Sequence, residues 1–334
     1  MNSCTGRSHA DKSTGSAAES QSGYLTGQLI YPLDNKPTDQ CHASTIEETP
    51  SGLVAAWFGG PHEKHPEVGI WISRYIDKRW TAPVEVADGV QNDSVRFPCW
   101  NPVLFQPSEG PLILFFKVGP SPREWWGEMI TSSDEGRTWS KPEKLGTGRL
   151  GPLIGPVKNK PVQLDDGTIL CPSSTERIEN DGTERIEHDD TERIKHDHTY
   201  WQVHFESTTE PVRGRNPAAD PGRRWKVIGP VNDGIRFDAI QPSILTYGDG
   251  RMQILCRTRQ GVISQSWSED GGKTWGPMTA TSLPNPNAGT DAVTLSGGRQ
   301  LLVYNHTTRE GGFPSGRNML NVALSSDGTH WDQV

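Results

Sequence analysis

Residues 59–67 read GGPHEKHPE, which sets His62, Glu63, His65 and Glu67 within one short loop. A carboxylic acid held beside imidazoles at a cavity mouth can donate and recover a proton near neutral pH, so the loop is a candidate acid/base centre. His62 and His65 also make an HxxH spacing. No HExxH helix surrounds it, and no metal is expected there. The competing reading is a polar surface loop.

A second set of polar residues recurs where apolar strands begin. Asn101 precedes Pro102, Lys160 precedes Pro161, Gln241 precedes Pro242, and Asp291 follows Gly289 and Thr290. An amide, ammonium or carboxylate at the head of successive inner strands would ring a central cavity with hydrogen-bonding groups, as sugar binding requires. Asn305 and His306, at the end of another strand, join the set, and His306 is a second candidate proton carrier. For each residue taken alone, the alternative is that it satisfies its own backbone.

The elements that must position these groups are announced by a repeat. Residues 132–139 read SSDEGRTW and residues 268–275 read SEDGGKTW, with a looser SSDGTHW from Ser325. In a tight turn of this kind Asp accepts backbone hydrogen bonds, Gly takes a positive φ, Thr holds the corner and Trp plugs the space between neighbouring sheets. Each box ends a unit of apolar strand, turn, apolar strand, loop and third strand, as in residues 102–105, 111–118 and 128–133. Further units run through residues 244–246, 252–257 and 262–268, and through 292–295, 300–305 and 321–325. Worn endings occur at residues 73–80 and 207–225. The serines that open these endings, 73, 132, 207, 268 and 325, lie 59, 75, 61 and 57 residues apart, the period of a four-stranded propeller blade.

The longest interval contains an eight-residue unit run three times between residues 175 and 198, TERIENDG, TERIEHDD and TERIKHDH. It reads as a charged, solvated insert; its His188, His196 and His198 are not expected to hold a metal, because an unordered repeat would have to fix several ligands at once.

Bulk composition narrows the function classes. The net charge is −8, and no Lys/Arg stripe interleaves with aromatics, so nucleic acid is not an expected partner. The longest apolar runs, 53–58 and 111–116, are strand-sized, far short of a membrane span. With 36 Gly, 26 Pro and 12 Trp the chain suits many short strands and almost no helix. Residues 1–23 are polar and lack the apolar stretch of a secretory leader, so they are expected to form a disordered tail that directs no export. The five cysteines are odd in number and show no CxxC spacing, which favours free, mostly buried thiols.

The boxes, their spacing and the loops between them resemble the sialidase (neuraminidase) superfamily, in its bacterial BNR-repeat branch, over about residues 28–334. The resemblance implies an all-β, six-bladed β-propeller over residues 24–334; the closing blade reads as unfinished, so that either a strand near residues 28–31 makes do with few partners or the natural chain continues past Val334. The active site would lie at the channel mouth opposite the boxes. Of the three arginines with which sialidases clamp a carboxylate, the second corresponds to Arg257, with Arg259 as alternate, and the third to Arg317. The first is replaced, the equivalent stretch reading Cys41-His42-Ala43-Ser44. His42 therefore stands where a guanidinium is usual, and it is a candidate proton-transfer group. The loop of His62, Glu63 and His65 corresponds to the segment that bears the family's acid/base Asp. Gln241 falls near the position of the Glu that activates the nucleophilic Tyr.

The resulting expectation is a monomeric, cofactor-free, sialidase-like glycosidase acting on a terminal acidic sugar. A lyase or hydrolase of uronate polysaccharides using a His acid/base is the alternative, and a non-catalytic glycan-binding propeller the third. The expected partner is a glycan or oligosaccharide bearing a carboxylate.

Overall fold

The computed structural model describes residues 25–179, 198–211, 224–309 and 316–334. They form an all-β assembly with a 3-10 turn at Leu33–Asn35. Five antiparallel sheets follow one another along the chain as blades. The first contains Gln40–Thr49, Gly52–Gly60, Gly69–Ile76 and Arg79–Trp80, with Val84–Ala87 also paired to its third strand. The second contains Cys99–Phe105, Leu112–Val118, Trp126–Ser132 and Glu143–Lys144. The third contains Val162–Gln163, Ile169–Glu179, His198–Thr208 and Lys226–Ile228. The fourth contains Ala239–Thr246, Met252–Thr258, Val262–Ser268 and Thr279–Pro284. The fifth contains Asp291–Thr294, Gln300–Tyr304, Asn321–Ser325 and Asp332–Gln333, and so has its full set of four strands.

The period-2 alternation of side chains splits each blade between two cores. Leu112, Leu114, Phe116 and Val118 pack with Phe58 and Ile70 of the first blade, whereas Ile113 and Phe115 pack with Ile169 and Cys171 of the third. Two further wedges repeat the arrangement, Phe205 against Ile254 and Leu245 against Leu302. This two-sided burial is why the central strands read as continuous apolar runs. Cys99, Cys171 and Cys256 are buried and Cys41 is exposed, all four as free thiols.

The boxes close one end of three of the four wedges. In the first, Asp134 accepts from Ser132 Oγ at 2.8 Å and from the Thr138 N and Oγ1 at 2.8 and 2.7 Å, while Gly136 takes φ 83°. The Thr138 hydroxyl and amide hold the Asp134 carboxyl well below the usual carboxylate range. Asp270 repeats the pattern with Ser268 and Thr274. In the third box His330 replaces Thr, its Nδ1 lying 2.7 Å from Asp327 Oδ2. The tryptophans plug the seams: Trp275 stacks on Phe205 of the preceding blade at 4.6 Å.

Two expectations need correction. Gln28 to Tyr31 is not a strand; Tyr31 instead packs on Trp57, ring centroids 5.6 Å apart. The tandem repeat is not solvated from its first residue, because backbone pairing continues through Glu176↔Trp201 to Glu179↔His198. Of that repeat, residues 180–197 lie outside the described residues, as does the tail of residues 1–23. Five blades are found among the described residues.

Candidate functional site

Three of the inner strands begin with an irregularity in their pairing. Register shifts fall between His42 and Thr45, Trp100 and Val103, and Ile240 and Ser243. A non-glycine residue in the left-handed region marks each: Ala43 at φ 48°, Asn101 at 38° and Gln241 at 56°. Such a backbone costs on the order of 1–3 kcal/mol and persists only where its surroundings hold it. In the third blade Lys158, at φ 71°, takes the corresponding position ahead of Val162–Gln163.

A polar network then runs across the heads of the third, fourth and fifth blades. Asn159, fully buried, donates from Nδ2 to Gln241 O at 2.9 Å and to Ser243 Oγ at 2.8 Å. Ser243 Oγ reaches Asp291 Oδ1 at 3.3 Å and accepts from Ala292 N at 3.1 Å. Lys158 Nζ donates to Asn159 Oδ1 and to Thr290 O, both at 2.9 Å. A backbone stretch of the fifth blade is thus tied to the third over the start of the fourth.

Arg257 and Arg317 meet on this rim. Arg257 Nε donates to Asn287 Oδ1 at 2.7 Å, and Arg317 Nη2 donates to Asn287 O at 2.6 Å. Arg257 Nη1 lies 3.4 Å from Gln241 Oε1. Burial, then the neighbouring Arg317, pull the Arg257 guanidinium down to about 10, so it stays charged at neutral pH. Its face rests on Trp201, 5.2 Å from the ring centroid; Arg259 lies on the same ring at 3.9 Å and pairs with Asp238 at 3.3 Å. Arg259 is thereby tied to Asp238 and the Thr199 carbonyl, whereas Arg257 faces Gln241. Across the ladder from Trp201 stands Glu176. Burial pushes its carboxyl above the ordinary value, opposed by Arg257, Arg259 and Arg123.

The first-blade residues gather separately. His42, exposed on Gln40–Thr49, lies edge-on to Phe58 at 5.4 Å. His42, His62 and Glu63 line a cavity of about 100 Å³ floored by Phe58 and Val68. His65 packs edge-on to His62 at 5.1 Å, and its Nδ1 accepts from Glu67 N at 3.1 Å. The expected acid/base loop and His42 therefore share one hollow. Among the described residues no recorded contact joins that hollow to Arg257 or Arg317.

The remaining candidates divide. Asn101 occupies the left-handed slot, its carbonyl accepting from Lys117 Nζ at 3.2 Å. Asp291 and Gln241 belong to the network above. Lys160 lies two residues past the slot to which its X-Pro pattern had assigned it, and it pairs with Glu47 of the first blade at 2.8 Å. Asn305 is buried and donates to the Met319 carbonyl. His306 is engaged by Tyr304 at 2.5 Å and by Gln333 of the outermost strand at 3.0 Å. Reading the sequence missed Lys158, Asn287 and Glu176. Asn287 carried only an Asn-rich turn signal, PNPNAG, and Glu176 fell inside the repeat taken for solvated.

The chain matches the BNR repeat-like domain over residues 51–334. No curated protein matches it in sequence. Among solved structures it resembles the Hadza microbial sialidase Hz136, with a TM-score of 0.64 at 16% identity, covering 88% of this chain and 58% of that one. It also resembles the NanB sialidase from Streptococcus pneumoniae, with a TM-score of 0.61 at 12% identity over 93% and 63%. An α-L-arabinanase from Penicillium chrysogenum aligns with a TM-score of 0.54 at 16% identity over 88% and 80%. The chain thus spans under two thirds of the two sialidases, and at these identities the likeness is one of fold. With its box repeats, its ring of blades and the matched domain all agreeing, the chain belongs to the BNR repeat-like family as a sialidase-like β-propeller.

Proposed function

We propose that the chain is a glycoside hydrolase that takes a terminal acidic sugar, with Arg257 and Arg317 holding its carboxylate. The observation that carries this is their convergence on Asn287 from stretches sixty residues apart in the chain. Two guanidinium groups so close repel each other, and a carboxylate between them relieves that repulsion while accepting parallel charge-assisted hydrogen bonds. Gln241 adds an amide at 3.4 Å from Arg257, suited to a sugar hydroxyl. His42, His62, Glu63 and His65 supply the proton-transfer groups of this reading. The same reading keeps the ring at six blades, supported by the lack of extensive packing between the first and fifth of the described sheets.

A second reading, cleavage of a uronate polysaccharide with a His acid/base, is favoured by one observation. The group at the head of the first inner strand is an exposed imidazole lining a cavity with a carboxylic acid. Incubation with a fluorogenic sialoside and with uronate polysaccharides separates the readings: released fluorophore supports the first, and absorbance of an unsaturated uronate supports a lyase. Silence in both, with measurable glycan binding, would favour a non-catalytic propeller and end the hydrolase proposal. Arg317→Ala should lower turnover roughly 10²–10³-fold, the loss typical of one charge-stabilising donor.

A further inference from the structure

The carboxylate clamp proposed above has two guanidinium groups, and the position of the usual third holds His42. His42 lies against Phe58 in a hollow lined by residues of the first blade, apart from the arginine pair. We infer that Lys158 is the third cation of the carboxylate site, approaching from the floor formed by the heads of the third, fourth and fifth blades. The inference rests on the hydrolase reading and assigns one more group to the same site.

Four observations carry it. Lys158 occupies the left-handed slot that presents Asn101 and Gln241 in the neighbouring blades. Its side chain crosses the start of the fourth blade, with Nζ anchored by Asn159 Oδ1 and Thr290 O. An ammonium has three N–H donors, so two anchors leave one for a ligand. The path is kept open by Gly289, where a Cβ would stand 2.7 Å from Lys158 Cε. Finally, the charges nearby are unbalanced: Lys158, Arg257 and Arg317 face Asp291 and Glu176, while Arg259 is already paired with Asp238.

Burial lowers the Lys158 pKa, with Arg257 adding to the effect and Asp291 opposing it. A partly desolvated cation of this kind gains more from an incoming anion than a surface lysine does.

The test compares binding of N-acetylneuraminic acid and D-galacturonic acid with that of their neutral methyl esters, by calorimetry, in the wild type, Lys158→Met and Arg257→Met. Wild type should prefer at least one acid over its ester, and Lys158→Met should lose about 10- to 100-fold of that preference, as expected for a hydrogen bond to a charged group. If Lys158→Met keeps the preference that Arg257→Met loses, the assignment of Lys158 is wrong and the clamp stands. If wild type prefers neither acid, the clamp itself is wrong and Lys158 falls with it. Should Lys158→Met fail to fold, acylation of wild-type lysines by acetic anhydride, read by mass spectrometry, decides: the bound acid must protect Lys158 and the ester must not.

Discussion

Asn287 does two jobs that only a short amide in a left-handed conformation combines. Its φ of 57° turns the backbone so that the carbonyl meets Arg317 while the side-chain oxygen meets Arg257. Asn287→Gly keeps the left-handed backbone and removes the side-chain amide that anchors Arg257. It should therefore leave the melting temperature nearly unchanged and raise KM for an acidic glycoside about tenfold, one charge-assisted hydrogen bond's worth; an unchanged KM would mean that Arg257 needs no such anchor. His330 offers a residue-scale test independent of substrate. The Asp327 carboxylate raises its pKa above the ordinary 6.5. A raised histidine pKa contributes stability that is complete below pH 6.5 and lost as pH climbs through the folded value. An NMR titration should place the His330 midpoint above 6.5, and Asp327→Asn should return it there; coincident curves would remove the ion pair from the account of this box.

At the level of elements, the box glycines divide into those that serve the turn and those that also serve the seam. Gly271 takes φ 70° with open space around its Cβ position, whereas a Cβ on Gly328, at φ 75°, would overlap Tyr247 and Gln253 of the preceding blade. Gly271→Ala should cost about 1 kcal/mol from the backbone alone. Gly328→Ala should cost a further 1–3 kcal/mol, roughly the cost of overpacking a well-filled core. Equal losses in urea unfolding would show that the box does not wedge the blades apart. The blade period and the box turns were legible in the sequence because alternation and turn chemistry are local. Arg257 and Arg317 were singled out by their positions relative to a strand end and a box, and both contact Asn287. Lys158 was not, because the Pro161 signal pointed two residues downstream and a register irregularity leaves no mark in composition. Glu176 was hidden for another reason: a repeat rich in Glu and Arg looks solvated until its strand is seen to continue the ladder past the rim.

The whole molecule is held near its axis by lysines. Lys117 of the second blade is fully buried, its Nζ donating to the carbonyls of Asn101 and Pro156, and Lys160 links the third blade to Glu47 of the first. With Lys158 reaching the fifth, lysine amines satisfy the carbonyls that irregular strand heads leave without ladder partners. The arrangement has a cost that pH reveals. Burial brings the Lys117 pKa down to about 7, with Glu206 opposing the shift, against a value near 10.5 in the unfolded chain. Between those values the unfolded state binds more protons than the native one, so stability should rise as pH increases from 7 toward 10.5 and level off below 7. Lys117→Met removes that titration while leaving the Asn101 and Pro156 carbonyls unpartnered, so the gap between wild type and variant should widen with pH, by at most roughly 1.4 kcal/mol per unit. Urea unfolding of both proteins at pH 7.5, 8.5 and 9.5 measures the gap. Parallel stability curves would mean that Lys117 stays protonated in the folded ring, balanced by Glu206, and that the axis is held by a charged tie instead of a neutral one.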